Sequence, residues 1–275
     1  MILPRLSARR PEAVPNLRPS PGGFRMNVSI PVRGALILIV SILSMALPDR
    51  ATAVELRIAV ASNFVRTAHS LVEMFEQSQG YRPQLVTAST GKHYAQIPNG
   101  APFDVFMAAD ALRPALLEEA GLTVPGTRFT YALGILVLWS PDPGLISPGE
   151  GLPESSRFRF LGLANPDLAP YGYAAREVLT GLGSWKRLQA QLVRGENVSQ
   201  ALQFVHSGAA ELGFVAQSQV MQAGGSRWLV PDDSYTPIAQ QVVQLSATEP
   251  GLAFLDFLRS PAARDLIEAH GYEVP

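Results

Sequence analysis

The sequence predicts an α/β protein built as two lobes, each a mixed, mainly parallel sheet flanked by helices, hinged by two crossing strands. Three observations predict it. From Leu56 onward, short apolar runs alternate with stretches of helical period, which argues for parallel strands with helices packed on the sheet. The same grammar occurs twice along the chain. Two long apolar strands, over residues 131–140 and 238–245, stand where the chain would leave one lobe and return to it. At 275 residues, 47% of them hydrophobic, the chain is long enough for two cores. The expected division is a leader over 1–53, a first lobe from 54–132 plus 237–275, and a second lobe over 133–236.

The leader carries its own signals. Residues 1–53 hold seven arginines against Glu12 and Asp49. Arg33 flanks a 14-residue apolar run, 34–47, and Ala51-Thr52-Ala53 offers a small-x-small cleavage pattern. The run is shorter than the ~20 residues that span a bilayer. We expect a signal peptide over 26–53, with Met26 alone able to open it, and an exported mature chain beginning at Val54. The chain has no cysteine, which excludes a lipoprotein anchor, disulfides, thiolate metal sites and thiol nucleophiles.

In the mature part, 56–61 reads as a strand ending at Ser62-Asn63, and Phe64, Ala68, Leu71 and Phe75 then take a helical spacing that Gly80 stops. Residues 84–87 form a second strand, and Ser89-Thr90-Gly91 opens a short helix closed by Pro98 and Gly100. A strand over 103–108 precedes Asp110, placed to cap a helix over 111–120. After the long run 131–140, a strand over 159–163 leads through Pro170-Tyr171-Gly172 into a helix ending near Leu182. Glu196-Asn197-Val198 opens the next helix, 199–207, and 212–216 is a buried strand. The chain returns through the strand 238–245 and ends in one helix over 251–270, stopped by Gly271.

Catalytic patterns are missing. There is no G-x-S-x-G elbow and no H-E-x-x-H. Val86 stands where a phosphate loop needs its first glycine, and Gly181-Leu182-Gly183 lacks the third glycine of a dinucleotide site. The four histidines are scattered. The nearest nucleophile–base pair is Ser89 with His93, without an evident acid, so no enzyme is expected, an exported α/β hydrolase being the remote alternative. The chain after residue 53 has 15 basic and 21 acidic side chains, which gives nucleic acid no electrostatic footprint.

What recurs is a strand, a few small polar residues, and a helix start: at Ser62-Asn63, Ser89-Thr90-Gly91, Pro170-Tyr171-Gly172 and Glu196-Asn197-Val198. Helix starts expose unpaired N–H groups and the positive end of a dipole. In open α/β sheets the carboxyl ends of strands are where ligands bind. Two such starts per lobe, facing each other, would hold a small anion with neutral donors.

The runs GKHYAQIPNGAPFDVFMAADALRPALLEEAG, TRFTYALGILVLWSPDPG, ANPDLAPYGYAA and GENVSQALQFVHSGAAELGFVAQSQV closely resemble the periplasmic molybdate-binding proteins of ABC importers, from about Glu55 to the end of the chain. The resemblance implies the type II periplasmic binding-protein fold, closing on molybdate or tungstate and delivering it to a membrane permease and its ATPase. It also implies a periplasmic monomer without cofactors or metal-cation ligands. The family's ligand positions fall on Asn63 with Ser62 beside it, on Thr90 with Ser89 beside it, on Tyr171, and on the backbone of Val198. A tyrosine that the family carries late in the chain is absent: Ala216 stands there, and Tyr171 is expected to replace its phenol. Selectivity among oxyanions rests on that resemblance, and a receptor for sulfate, phosphate or a sulfonate is the alternative. Lys92 is expected as a solvated surface cation, and Glu196 as a helix N-terminal charge.

Overall fold

A computed structural model describes residues 55–275; the expected signal peptide and cleavage site lie outside the described residues. The first sheet contains β1 (Glu55–Ala61), β2 (Arg82–Ala88), β3 (Val105–Met107), β4 (Phe129–Gly134) and β10 (Ile238–Gln244), in the order β2-β1-β3-β10-β4. The second contains β5 (Leu136–Ser140), β6 (Leu161–Ala164), β7 (Leu192–Gly195), β8 (Leu212–Ala216) and β9 (Ser226–Leu229), in the order β7-β6-β8-β5-β9. Each sheet is mixed. β1 runs parallel to β2 and β3, and β6 parallel to β7 and β8, while β10 and β5 pair antiparallel with both neighbours. The two lobes therefore share one strand plan.

Helices cover the faces. α1 (Val65–Gln79) buries Ala68, Leu71, Val72 and Phe75, the side its period predicts, against β1 and the C-terminal helices α7 (Glu249–Leu258) and α8 (Pro261–Ala269). On the opposite face, Ala59, Phe106 and Val243 pack with Ile97 and with Leu117 of α3 (Leu112–Glu119), beside the short α2 (Thr90–Gln96). The second lobe has its own core around Leu136, Leu138, Leu161, Leu163 and Phe214, closed by α4 (Pro170–Gly181) and α5 (Val198–His206). A one-turn helix, α6 (Gln217–Val220), follows β8. Among the described residues no helix is long and apolar enough to cross a membrane.

Two expected elements divide. The run 131–140 is two strands, β4 and β5, separated by Ile135 alone and lying in different sheets. The final helix breaks at Ser260-Pro261, because proline cannot donate to the preceding turn and Ser260 caps a new start by accepting from the Ala263 N–H at 3.3 Å. Strands β7 and β9 carry no strong apolar alternation and escape sequence reading. The outgoing and returning segments are tied together: Leu136 N–H donates to Tyr235 Oη at 3.2 Å, and Gly134 pairs with Ile238 in the β4–β10 ladder.

Candidate functional site

Register brings the helix starts together. β1 and β2 end side by side, with Ala61 opposite Ala88, so the 3-10 turn Ser62–Phe64 lies beside the start of α2. In the other lobe Ala164 is opposite Gly195, which sets the start of α4 beside that of α5. Two glycines make the close packing possible. A side chain at Gly172 would strike the carbonyl of Ala164 at the end of β6, and one at Gly195 would meet the Gln200 Cβ at 2.7 Å. Ser62, Asn63, Ser89, Thr90, Tyr171 and Val198 together line one cavity of about 10 Å³, completed by Ala61, Ala169, Pro170 and Asn197. That is room for about one water-sized guest.

The side chains are arranged as donors. Ser89 caps α2 by accepting from Lys92 N–H at 3.3 Å, and Thr90 Oγ1 accepts from Ala109 N–H at 3.0 Å. With a protein N–H on the oxygen of each, the hydroxyl hydrogens are free to turn to a guest. Asn197 Oδ1 accepts from Gln200 N–H at 3.1 Å, which caps α5 and leaves the Val198 N–H at the first helical position without an intrahelical acceptor. Tyr171 is buried, and its Oη has no hydrogen-bond partner. Burial pushes this phenol well above its ordinary pKa, with the nearby Asn63 side chain pulling slightly the other way. It is a neutral O–H donor at any physiological pH.

Asn63 spends its side-chain amide within the protein. Its amide Nδ2 donates to Gln240 Oε1 at 2.9 Å and to Tyr272 Oη at 3.3 Å, so both side-chain N–H groups serve the protein. What Asn63 retains for a guest is the backbone N–H at the start of the 3-10 turn. Behind it stands a buried polar network: Gln240 Oε1 also accepts from Tyr131 Oη at 3.2 Å, and Tyr272 Oη donates to the Asn63 carbonyl at 2.8 Å. Desolvation raises Tyr131 well above its ordinary value and pushes Tyr272 up to about 12. Gln240 and Tyr272 were not anticipated; Gln240 is one of three glutamines in β10, and nothing local in the sequence sets it apart from Gln241 and Gln244.

Contacts across the cleft surround the cavity. Gly91 N–H donates to the Leu168 carbonyl at 2.8 Å, Ser199 Oγ donates to the Ser62 carbonyl at 3.0 Å, and Ser218 Oγ donates to Tyr272 Oη at 2.9 Å. Arg113 Nη2 reaches the Asp167 carbonyl at 3.0 Å. Lys92 and Glu196, read separately from sequence, form one exposed ion pair at 3.3 Å that bridges the lobes. Neither lines the cavity, and no carboxylate does.

Ser89 and His93 form no nucleophile–base pair. The Ser89 oxygen is engaged in the cap, and the buried His93 ring faces the Val60 carbonyl through Nε2 at 3.2 Å, its pKa lowered by desolvation. Among the described residues no cluster of three or more His, Asp or Glu side chains could hold a metal ion.

Comparison with known proteins is consistent across sequence and structure. The family described as bacterial extracellular solute-binding protein matches residues 56–273. The molybdate-binding protein ModA of Azotobacter vinelandii is 43% identical over 242 residues, covering 86% of this chain and 96% of that protein. ModA of Rhodobacter capsulatus is 41% identical over 245 residues, 88% of this chain and 96% of that one. The solved periplasmic molybdate-binding protein of Azotobacter vinelandii superposes with a TM-score of 0.74 at 40% identity, over 80% of this chain and 99% of its own.

Proposed function

The chain belongs to the bacterial extracellular solute-binding proteins, and from that premise we propose that it captures molybdate or tungstate between its lobes and delivers the anion to an ABC importer. One observation carries the reading: a small cavity, lined from both lobes, whose polar wall consists of hydroxyl, amide and backbone groups with no carboxylate among them. A tetrahedral dianion offers acceptors on every side. Each hydrogen bond to a charged group contributes about 1.5–3 kcal/mol, and a helix dipole adds about 0.3–1 kcal/mol, so no arginine or lysine is required. In this reading Ser62, Ser89, Thr90 and Tyr171 donate O–H, and Asn63 and Val198 donate backbone N–H.

Charge state and size then select. Phosphate near neutral pH keeps a proton, and that O–H would face donors only, at a cost of about 1–3 kcal/mol. Sulfate has the right charge and is smaller than molybdate, so the closeness of lobe approach discriminates against it. The moving halves are taken as the sequence divides them, 54–132 plus 237–275 and 133–236, with the first boundary moved to keep β4 whole through Gly134, and they turn about the Ile135 and Tyr235–Ile238 crossings. The protein acts as an exported monomer in the periplasm, without cofactor or catalytic step, and its partners are a permease and an ATPase. The high identity to two ModA proteins over nearly their whole length supports this choice of ligand and partners.

Isothermal titration with molybdate, tungstate, sulfate and phosphate at neutral pH tests the proposal. One-to-one binding of the first two, with sulfate and phosphate far weaker, is expected. Preferred binding of sulfate or phosphate would move the protein to another oxyanion importer, and binding of none would remove the site reading.

A further inference from the structure

The Tyr171 phenol belongs to the second lobe, yet its oxygen ends against the first. Its contact there is Gly134, the last residue of β4 at the outgoing crossing. A Cβ at Gly134 would collide with Tyr171 Oη and would lie 3.0 Å from its Cζ and 2.9 Å from Gln240 Nε2. Gly134 does not have a positive φ, so its backbone does not demand glycine; the space beside it does. Tyr171 Oη and Gln240 Nε2 are two of the three buried side-chain polar atoms without a partner among the described residues. Both border the point where that Cβ would stand. Buried polar groups are rarely left unpaired without a functional reason.

We infer that Gly134 is a positioning residue for anion capture: the side chain missing at the hinge forms a notch that receives the Tyr171 phenol when the lobes close. The inference rests on the proposed role of Tyr171 as an anion donor. The notch lets a tyrosine at 171 reach the cavity wall beside Asn63 while α4 keeps its seat on β6. It couples two positions 37 residues apart in sequence: a phenol at 171 requires glycine at 134, whereas a short side chain at 171 does not. Because Tyr171 fills the notch only in the closed form, a side chain at 134 obstructs closure, while in the open form it meets only the end of the Gln240 side chain, which can turn aside.

The test is a double-mutant cycle on the full chain, with Gly134→Ala and Tyr171→Ala made singly and together. Molybdate affinity is read by titration, and the melting temperature is read without anion. With Tyr171 present, Gly134→Ala should weaken binding roughly ten- to a hundredfold, within the span of coupling between touching residues, while the anion-free melting temperature stays near wild type. In the Tyr171→Ala background the same substitution should change affinity by less than about threefold. Equal loss in both backgrounds, or none with Tyr171 present, overturns the notch. A fall in anion-free melting temperature matching the loss of affinity assigns Gly134 to strand stability and overturns it too. Wild-type protein that binds no oxyanion fails before any variant is compared, and takes the premise and the inference together.

Discussion

Gly91→Ala sets two effects of opposite sign against each other. Gly91 is the second residue of α2, where alanine is the better helix former by about 0.8–1.0 kcal/mol. In the open protein the substitution is therefore neutral or mildly stabilising. In the closed protein a Cβ at 91 lies 2.8 Å from the Leu168 carbonyl oxygen and 3.0 Å from its Cα. Both are backbone atoms and cannot rotate away. Overpacking of this kind costs about 1–3 kcal/mol, and parting the segments breaks the 2.8 Å bond from Gly91 N–H to Leu168 O, about 0.5–1.5 kcal/mol more. The sum, about 1.5–4.5 kcal/mol, falls on the closed state alone and corresponds to a roughly tenfold to thousandfold weaker Kd. Titration with molybdate, paired with thermal melts of the anion-free protein and small-angle scattering of the loaded one, separates the terms. Weaker binding with an unchanged or raised melting temperature is the expected pattern. An affinity within threefold of wild type, with the usual compaction on loading, would refute the claim that lobe approach at Gly91 limits capture.

Three further predictions follow from the same geometry. Thr90→Val should lower both affinity and anion-free stability, because it removes a donor from the cavity and strands the buried Ala109 N–H at about 1–3 kcal/mol; a loss confined to affinity would mean that the hydroxyl does not hold Ala109. Glu196→Gln should change Kd less than about threefold, since the Lys92–Glu196 pair is more than half exposed on each side and such pairs contribute about 0–1 kcal/mol; a tenfold loss in 150 mM salt would give the bridge a larger share in closure. The buried phenols set an alkaline limit. Tyr131 and Tyr171 are held well above their ordinary pKa and Tyr272 near 12, so below about pH 10 folded and unfolded chains both keep these protons. Above it the unfolded chain releases protons that the folded chain retains, and stability falls as pH rises. Melting temperatures measured from pH 7 to 11.5 should be level to about pH 9.5 and then decline; an unbroken plateau would contradict the burial of these groups.

Much of the site was legible because it sits where strands end. The small polar pairs at Ser62-Asn63 and Ser89-Thr90 and the Tyr171-Gly172 start are local signals, and the shared cavity needed only that β1 lie beside β2 and β6 beside β7. What was not legible depends on contacts between distant segments. Asn63 reads as an amide donor until Gln240 and Tyr272, from the far end of the chain, take both of its N–H groups. Lys92 and Glu196 read as separate surface charges because they stand 104 positions apart. Strands β7 and β9 are short and half-exposed, so the period that reveals β1 or β8 is weak in them. The division of the last helix was readable in principle, since Ser260-Pro261 is both a cap and a break, but the continuous apolar period on either side concealed it.

The division of the cavity wall between lobes has a consequence for release. Ser62, Asn63, Ser89 and Thr90 come from one half, Tyr171 and Val198 from the other. Neither half alone encloses a guest. If the anion is held as proposed, rotation about Ile135 would withdraw two donors at once and admit water to the remaining four, so unloading would require torque at the hinge and no competitor for individual hydrogen bonds. Whatever grips the two halves from outside and spreads them would then hold the release lever without touching the cargo.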